Sequence, residues 1–366
     1  MRFVDEYRDP ELARRLCAEI ERASGAAGRP VRLMEVCGTH TMALFRHGVR
    51  SLMPESLRLL SGPGCPVCVT PTGELDAALD LAERDGVTVA TFGDMLRVPG
   101  TNGSLLDARG RGRSVEIVYS PLDALAFARA HPDREVVFFA VGFETTAPGV
   151  AHTLRAAAEA RLGNFSVYCI HKVVPPALRA LLSAEDVRLD GLLLPGHVST
   201  IIGARPYEFI PREFGVACVI AGFEPLDMLQ AILSLCQMVA AGEARVEIAY
   251  RRCVRPEGNP AALEAIEGAF EPCSSQWRGL GTLEGSGLAI RNHLRAYDAR
   301  AKFGVEVRQV PEPPGCLCGE VLRGVNDPAD CAYFGTRCTP ESPVGACMVS
   351  SEGTCAAHYR YGRAAA

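Results

Sequence analysis

Three groups of cysteines carry the chemistry this sequence offers. The first is Cys65-Pro66-Val67-Cys68, inside a loop of prolines and glycines that runs from Ser61 to Pro71. Two intervening residues let both sulfurs meet, as a disulfide or on one metal. Before a helix N-terminus the dipole favours a thiolate, and between a strand and a helix the spacing reads as a redox pair. The same pair is also half of a zinc site, and inert packing is a third reading. The second group is Cys37-Gly38-Thr39-His40. A thiolate binds soft metals, and an imidazole binds metal or carries a proton. Its bland alternative is a buried thiol followed by a histidine at a helix cap. The third group is Cys316, Cys318, Cys331, Cys338, Cys347 and Cys355, six of fifteen cysteines within the last fifty-one residues. Four thiolates suffice for a 4Fe–4S cluster or a structural zinc. The spacing matches neither the ferredoxin run nor paired zinc knuckles, so composition points to a metal centre without choosing the metal.

Fifteen cysteines would suit a disulfide framework only in an oxidising compartment. Met1 to Arg15 is charged and has no apolar signal core, so a cytoplasmic protein with reduced thiols is expected. Metal or redox work is then the better account of the three groups. Cys17, Cys169, Cys218, Cys236, Cys253 and Cys273 are read as buried, inert thiols. No apolar run reaches eighteen residues, so no membrane helix is expected. The net charge of −5, with no block of basic residues, argues against nucleic acid. Ser61–Gly64 and Gly100–Gly103 lack the Gly-Lys-Ser/Thr of a phosphate loop, so no nucleotide site is assigned.

The elements that must position these groups alternate. Val31–Val36 and Leu57–Leu60 read as strands that end at Cys37 and at the Cys65 loop. Further strands are expected at 87–92, 115–119, 135–141, 165–170, 191–194 and 216–221. Helices are expected at 9–23, 41–52, 71–84, 121–130, 146–161, 176–182, 225–241 and 257–270. Asp9 and Thr70 are candidate caps, each followed by a proline suited to a first turn. Such alternation predicts βαβ units and parallel sheets. Cys37 and His40 then lie at a strand's carboxyl end, where ligands bind in open α/β sheets. Asp94, Glu144, His171, His197 and Glu224 also follow apolar runs, and a satisfied hydrogen-bonding role is the default for each. Ala140-Val141-Gly142-Phe143-Glu144 is echoed by Ile220-Ala221-Gly222-Phe223-Glu224, which two matched strand ends in one sheet would explain. Pro311–Pro314 marks a break, and the segment beyond it has too little apolar periodicity for a large core without a staple.

With these residues in view, the sequence resembles the HypD family of hydrogenase maturation proteins. The likeness rests on Met34-Glu35-Val36-Cys37-Gly38-Thr39-His40-Thr41 and on Gly62-Pro63-Gly64-Cys65-Pro66-Val67-Cys68-Val69. It continues through Gly142–Thr146 and Leu194–Val198 and ends in the run from Cys347 to Cys355. The resemblance implies a scaffold for assembling the Fe(CN)2CO unit of nickel–iron hydrogenase, working with the small protein HypC and receiving cyanide through HypE. It implies two parallel-sheet α/β domains around a cleft, plus a cysteine-rich C-terminal region with a 4Fe–4S cluster. The expected division is 1–120, 121–245 and 246–366. By motif, Cys37 would bind the nascent iron with His40 beside it, and Cys65 and Cys68 would exchange electrons with the cluster. Cys318, Cys331, Cys338 and Cys355 are taken as the cluster ligands. The family does not always carry cysteine at the position of Cys347, and Cys316 stands so near Cys318 that one is spare. Two other functions use the same residues, a stand-alone iron–sulfur thiol–disulfide reductase and a zinc-stabilised binding module.

Overall fold

In the computed structural model, which describes residues 5–362, the apolar runs form two all-parallel sheets. The first contains β1 (Val31–Glu35), β2 (Leu57–Ser61), β7 (Gly191–Leu194), β8 (Ala217–Ile220) and β9 (Val246–Ile248), in the order β2-β1-β7-β8-β9. The second contains β3 (Val87–Thr91), β4 (Val115–Ile117), β5 (Glu135–Ala140) and β6 (Phe165–Cys169), in the order β4-β3-β5-β6. Helices link successive strands, as parallel pairing requires.

The boundary expected at residue 120 therefore runs through the second sheet, between β4 and β5. The first sheet is discontinuous in sequence. The chain builds two of its strands, leaves to make the whole second sheet, and returns at β7 on the other flank of β1. A linear reading finds each strand but not its neighbour, because pairing is settled by packing over distances the local pattern does not encode. The two copies of the Gly-Phe-Glu echo likewise end strands of different sheets, β5 and β8.

Burial on both faces explains the near-continuous apolar strands. Along β5, Val136 and Phe138 pack to one side while Val137 and Phe139 pack to the other. The second side meets a core shared with the first sheet, where Met34, Leu60, Leu192 and Ile220 point. The Thr72–Ala82 and Val174–Ser183 helices fill the same layer. Asp9 caps the Pro10–Ala26 helix as expected, accepting from the amides of Glu11 and Leu12. Thr70 caps nothing: its hydroxyl donates to Pro66 O at 2.8 Å and tightens the cysteine loop instead.

The helix expected at 41–52 starts earlier, at Gly38, and ends at Arg46, because Gly48 takes a left-handed φ of 67°. The helix expected at 257–270 ends at Ala269, and an unforeseen antiparallel hairpin follows, β10 (Phe270–Trp277) with β11 (Gly281–Ile290). Its strands are polar and partly exposed, with a register shift between Cys273 and Ser275, so no clean alternation marks them. The inert thiols are placed as expected only in part. Cys169, Cys218 and Cys236 are buried, Cys17 and Cys273 half-buried, and Cys253 exposed. Among the described residues no helix is long and apolar enough to cross a membrane.

Candidate functional site

The carboxyl ends of β1, β2, β3, β5 and β7 open on one cleft of about 490 Å³. In each sheet the strand order reverses there: β1 lies between β2 and β7, and β3 lies between β4 and β5. Crossovers that depart in opposite directions leave room for a ligand at such a point.

Cys37 is the cysteine on this cleft's wall. It stands at the N-cap of the Gly38–Arg46 helix, where the amides of Thr39 and His40 favour the thiolate. Burial still dominates. It pushes the thiol up to about 11, the Glu352 carboxylate adds to that, and the amides oppose it. Cys37 is therefore a thiol at neutral pH. A metal that takes the thiolate must displace its proton, so uptake should strengthen roughly tenfold per pH unit below that value.

The Cys65 loop lies directly against Cys37. Gly38 N–H donates to Gly64 O at 2.9 Å, and a side-chain carbon at Gly64 would run into the backbone of Val36 and Cys37. Cys65 and Cys68 are joined as a disulfide with their Cα atoms 5.2 Å apart. Pro66 and Val67, not the two sulfurs, form the cleft wall. Gly64→Ala should cost about 3 kcal/mol, near the upper end for overpacking a tight contact. A urea midpoint within error of the parent's would show that the two loops are not in backbone contact.

A third side comes from the C-terminal segment. Thr39 Oγ1 donates to Glu352 at 2.6 Å, and Ser350 Oγ donates to Asp94 at 3.0 Å. Gly38 admits this approach, since a carbon there would lie 2.6 Å from Glu352 Cβ. Glu352 is itself raised by burial. Glu352→Gln should remove the charge that disfavours the Cys37 thiolate. Alkylation of Cys37 at pH 8 should then quicken roughly three- to tenfold, because a larger fraction of it is thiolate. An unchanged rate would mean that Glu352 exerts no field on the thiol.

His40 does not line the cleft. It is fully buried, Nε2–H donates to Gly222 O at 2.9 Å, and burial lowers it to about 4, so it is neutral. The first turn of its helix carries the ring toward the end of β8. The imidazole on the cleft wall is His197, after β7. Phe223 stacks on both rings, at 4.7 Å from His40 and 4.0 Å from His197. Of the other strand-end residues, Asp94 lines the cleft, and His171 lies one hydrogen bond behind it, 3.0 Å from the Thr146 hydroxyl on the wall. Gly142 makes room for that bond, since a side-chain carbon there would strike Thr146 Oγ1. Glu144 is buried, accepts from Val174 N–H at 2.9 Å, and is raised to about 7 by desolvation. Glu224 pairs with Arg8 at the surface. Sequence spacing alone did not reveal Thr146 or Glu352 as wall residues. Both sit in polar runs between glycines, and only the fold shows which of those side chains turn inward.

The C-terminal cysteines gather around a small apolar chamber of about 10 Å³. Cys316, Cys318, Cys331, Cys338 and Cys355 line it with Val321, Tyr333, Phe334 and Met348. Cys347 is buried beside Cys318 and Cys355. A carbon at Gly345 would lie 2.5 Å from Cys318 Sγ and 2.7 Å from Cys316 Sγ, so both sulfurs crowd that one glycine. The four residues taken as ligands thus share one chamber, and Cys316 shares it too. Among the described residues no three Cys, His, Asp or Glu side chains stand ready as ligands around one point. A hydrogen bond from Cys318 holds Cys316 down at about 6, with the Arg278 charge assisting.

Comparison with known proteins agrees over the whole chain. A family model, HypD, described as the hydrogenase formation hypA family, matches residues 11–362. The chain is 48% identical over 371 residues to the hydrogenase maturation factor HypD2 of Bradyrhizobium diazoefficiens, covering 99% of this chain and 97% of that one. It is 49% identical over 372 residues to HypD of Cupriavidus necator, covering 99% and 98%. It is 48% identical over 368 residues to HypD of Escherichia coli K12, covering 99% and 98%.

Proposed function

The chain belongs to the HypD family of hydrogenase maturation factors, and from that premise we propose that its cleft is where the Fe(CN)2CO unit of nickel–iron hydrogenase is put together. The observation that supports this most is the meeting of three distant segments at Cys37: the strand end that carries it, the Cys65–Cys68 loop, and the Ser350–Glu352 turn of the cysteine-rich region. Iron enters as cargo. Cys37 supplies a soft thiolate, suited to iron that carries strong-field ligands. The apolar walls around Val36, Val67 and Phe143 keep water from competing for the metal. A HypC-type small protein would act in complex with the chain, and a HypE-type protein would deliver cyanide.

The cysteine chamber fits a resident 4Fe–4S cluster by the chemistry of its donors. It offers more than four sulfurs in a lining otherwise apolar and aromatic, and such walls favour thiolate-bound iron over hard, hydrated ions. We assign Cys318, Cys331, Cys338 and Cys355 as the residues that would hold it. When bound, the cluster would supply single electrons at low potential. The Cys65–Cys68 pair can store two electrons as a dithiol.

Infrared spectroscopy of anaerobic protein copurified with its small partners tests the whole reading. Cyanide and carbon monoxide stretches should be present. Preparations that hold iron and partner yet show neither band would overturn it. The disulfide beside the thiol chamber also suits a stand-alone reductase. That protein would purify without partner or extra iron and would turn over a protein disulfide.

A further inference from the structure

Between the cysteine loop and the cysteine chamber lies one buried cation that no sequence motif marks. Arg278 sits in the turn between β10 and β11 and is 2% exposed. Its backbone N–H donates to Val69 O at 2.9 Å, and Nη2 donates to Thr70 O at 2.8 Å. These carbonyls belong to the first two residues after Cys68. Nη1 pairs with Glu312, in the proline-rich segment just before Cys316. Nε is buried without a partner. The next residue, Gly279, has φ 79° and lies so close to the backbone after Cys318 that a carbon there would stand 2.6 Å from Gly319 O. The turn is thus clamped to the redox loop on one side and to the chamber wall on the other.

A guanidinium held this way has two consequences. It fixes the distance between the loop and the chamber. It also places a permanent positive charge beside a site where electrons arrive without protons. Reduction of an iron–sulfur group adds one electron and no atom, so the group becomes more negative by one. A fixed cation nearby favours that form and raises the potential. Glu312 opposes it in part, since its carboxylate neutralises the same guanidinium.

We propose that Arg278 is a positioning residue that locks the Cys65–Cys68 loop onto the chamber and sets the reduction potential of the iron–sulfur group held there. This rests on the iron–sulfur reading of the chamber. The test is a redox titration of anaerobically purified full-length protein, with dithionite as the one-electron donor and the visible and electron-paramagnetic signals as readout. Arg278→Gln should move the midpoint to more negative potential. Glu312→Gln should move it to more positive potential, and the double variant should return toward the parent. Arg278→Lys should keep most of the parent's value, because charge and not the fork geometry carries the effect. Glu312 is 34% exposed, so its replacement keeps the test open should Arg278→Gln fail to fold. Midpoints unmoved in both single variants would overturn the role of Arg278 while leaving the cluster in place. A parent protein with no reversible signal, or one loaded with zinc, would overturn the chamber reading and this one with it.

Discussion

Cys37→Ala should abolish the infrared bands of iron-bound cyanide and carbon monoxide in the copurified complex while leaving the visible absorbance of the C-terminal centre unchanged. The loss should be complete, because Cys37 is the cysteine among the cleft's lining residues. Cys65 and Cys68 are near in sequence terms but buried behind Pro66 and Val67, at 3% and 0% exposure, and cannot replace it without moving the loop. His40 does not compensate, since it faces the end of β8. Cys37→Ser should fail as well: a hydroxyl keeps the shape and the amide hydrogen bonds but is too hard and too weakly acidic to hold low-spin iron. Retention of both bands in Cys37→Ala would move the iron elsewhere in the cleft, with Asp94 and His197 as the first places to look. Retention of the bands with loss of the visible absorbance would reverse the assignment of the two centres.

The contrast between Cys37 and His40 shows how far a sequence carries such an argument. Which residues end strands was legible, because apolar runs bounded by glycine and proline have only a few possible fates. That put Cys37, Asp94, Glu144 and His197 at carboxyl ends. Which way a side chain turns three residues later was not legible, because it depends on where a helix starts within one turn. Helix Gly38–Arg46 begins three residues before the expected start, and that rotation separates Cys37 and His40 onto different surfaces. Strand partners were illegible for the same kind of reason. Nothing local in Val31–Glu35 says that its second neighbour is Gly191–Leu194. The hairpin from Phe270 to Ile290 escaped notice because its strands bury neither face fully, and Arg278 escaped with it. The hydrogen bonds of Arg278 to Val69 and Thr70 reach more than two hundred positions back along the chain.

The electron exchange that the family resemblance implies requires the Cys65 loop to approach both Cys37 and the C-terminal cysteines. The structure places it against Cys37 by backbone contact, and ties it to the chamber wall through Arg278 and Gly279. The disulfide lines neither of the two proposed metal sites. On the proposed reading, a pair placed there could pass electrons inward while its sulfurs stay off the cargo iron, which would otherwise bind a free thiolate.

Cys338→Ala should bleach the visible absorbance of the C-terminal centre, whereas Cys316→Ala should retain most of it. Both sulfurs line the chamber, so lining alone does not separate them. Their surroundings do. Cys338 is buried at 7% exposure, and its sulfur accepts the Val344 amide at 3.3 Å, the kind of N–H donation that stabilises charge on a metal-bound sulfur. Cys316 is only half-buried, and it owes its low pKa first to Cys318, so it loses that support once Cys318 turns to a metal. The two variants should be compared by absorbance and by iron content per chain after anaerobic reconstitution. Equal bleaching in both would mean that the chamber uses Cys316 in place of Cys331 or Cys355. Bleaching in Cys316→Ala alone would remove Cys338 from the ligand set. A preparation with zinc in place of iron in every variant would instead make the chamber a structural staple for a segment too poor in apolar residues to hold itself together.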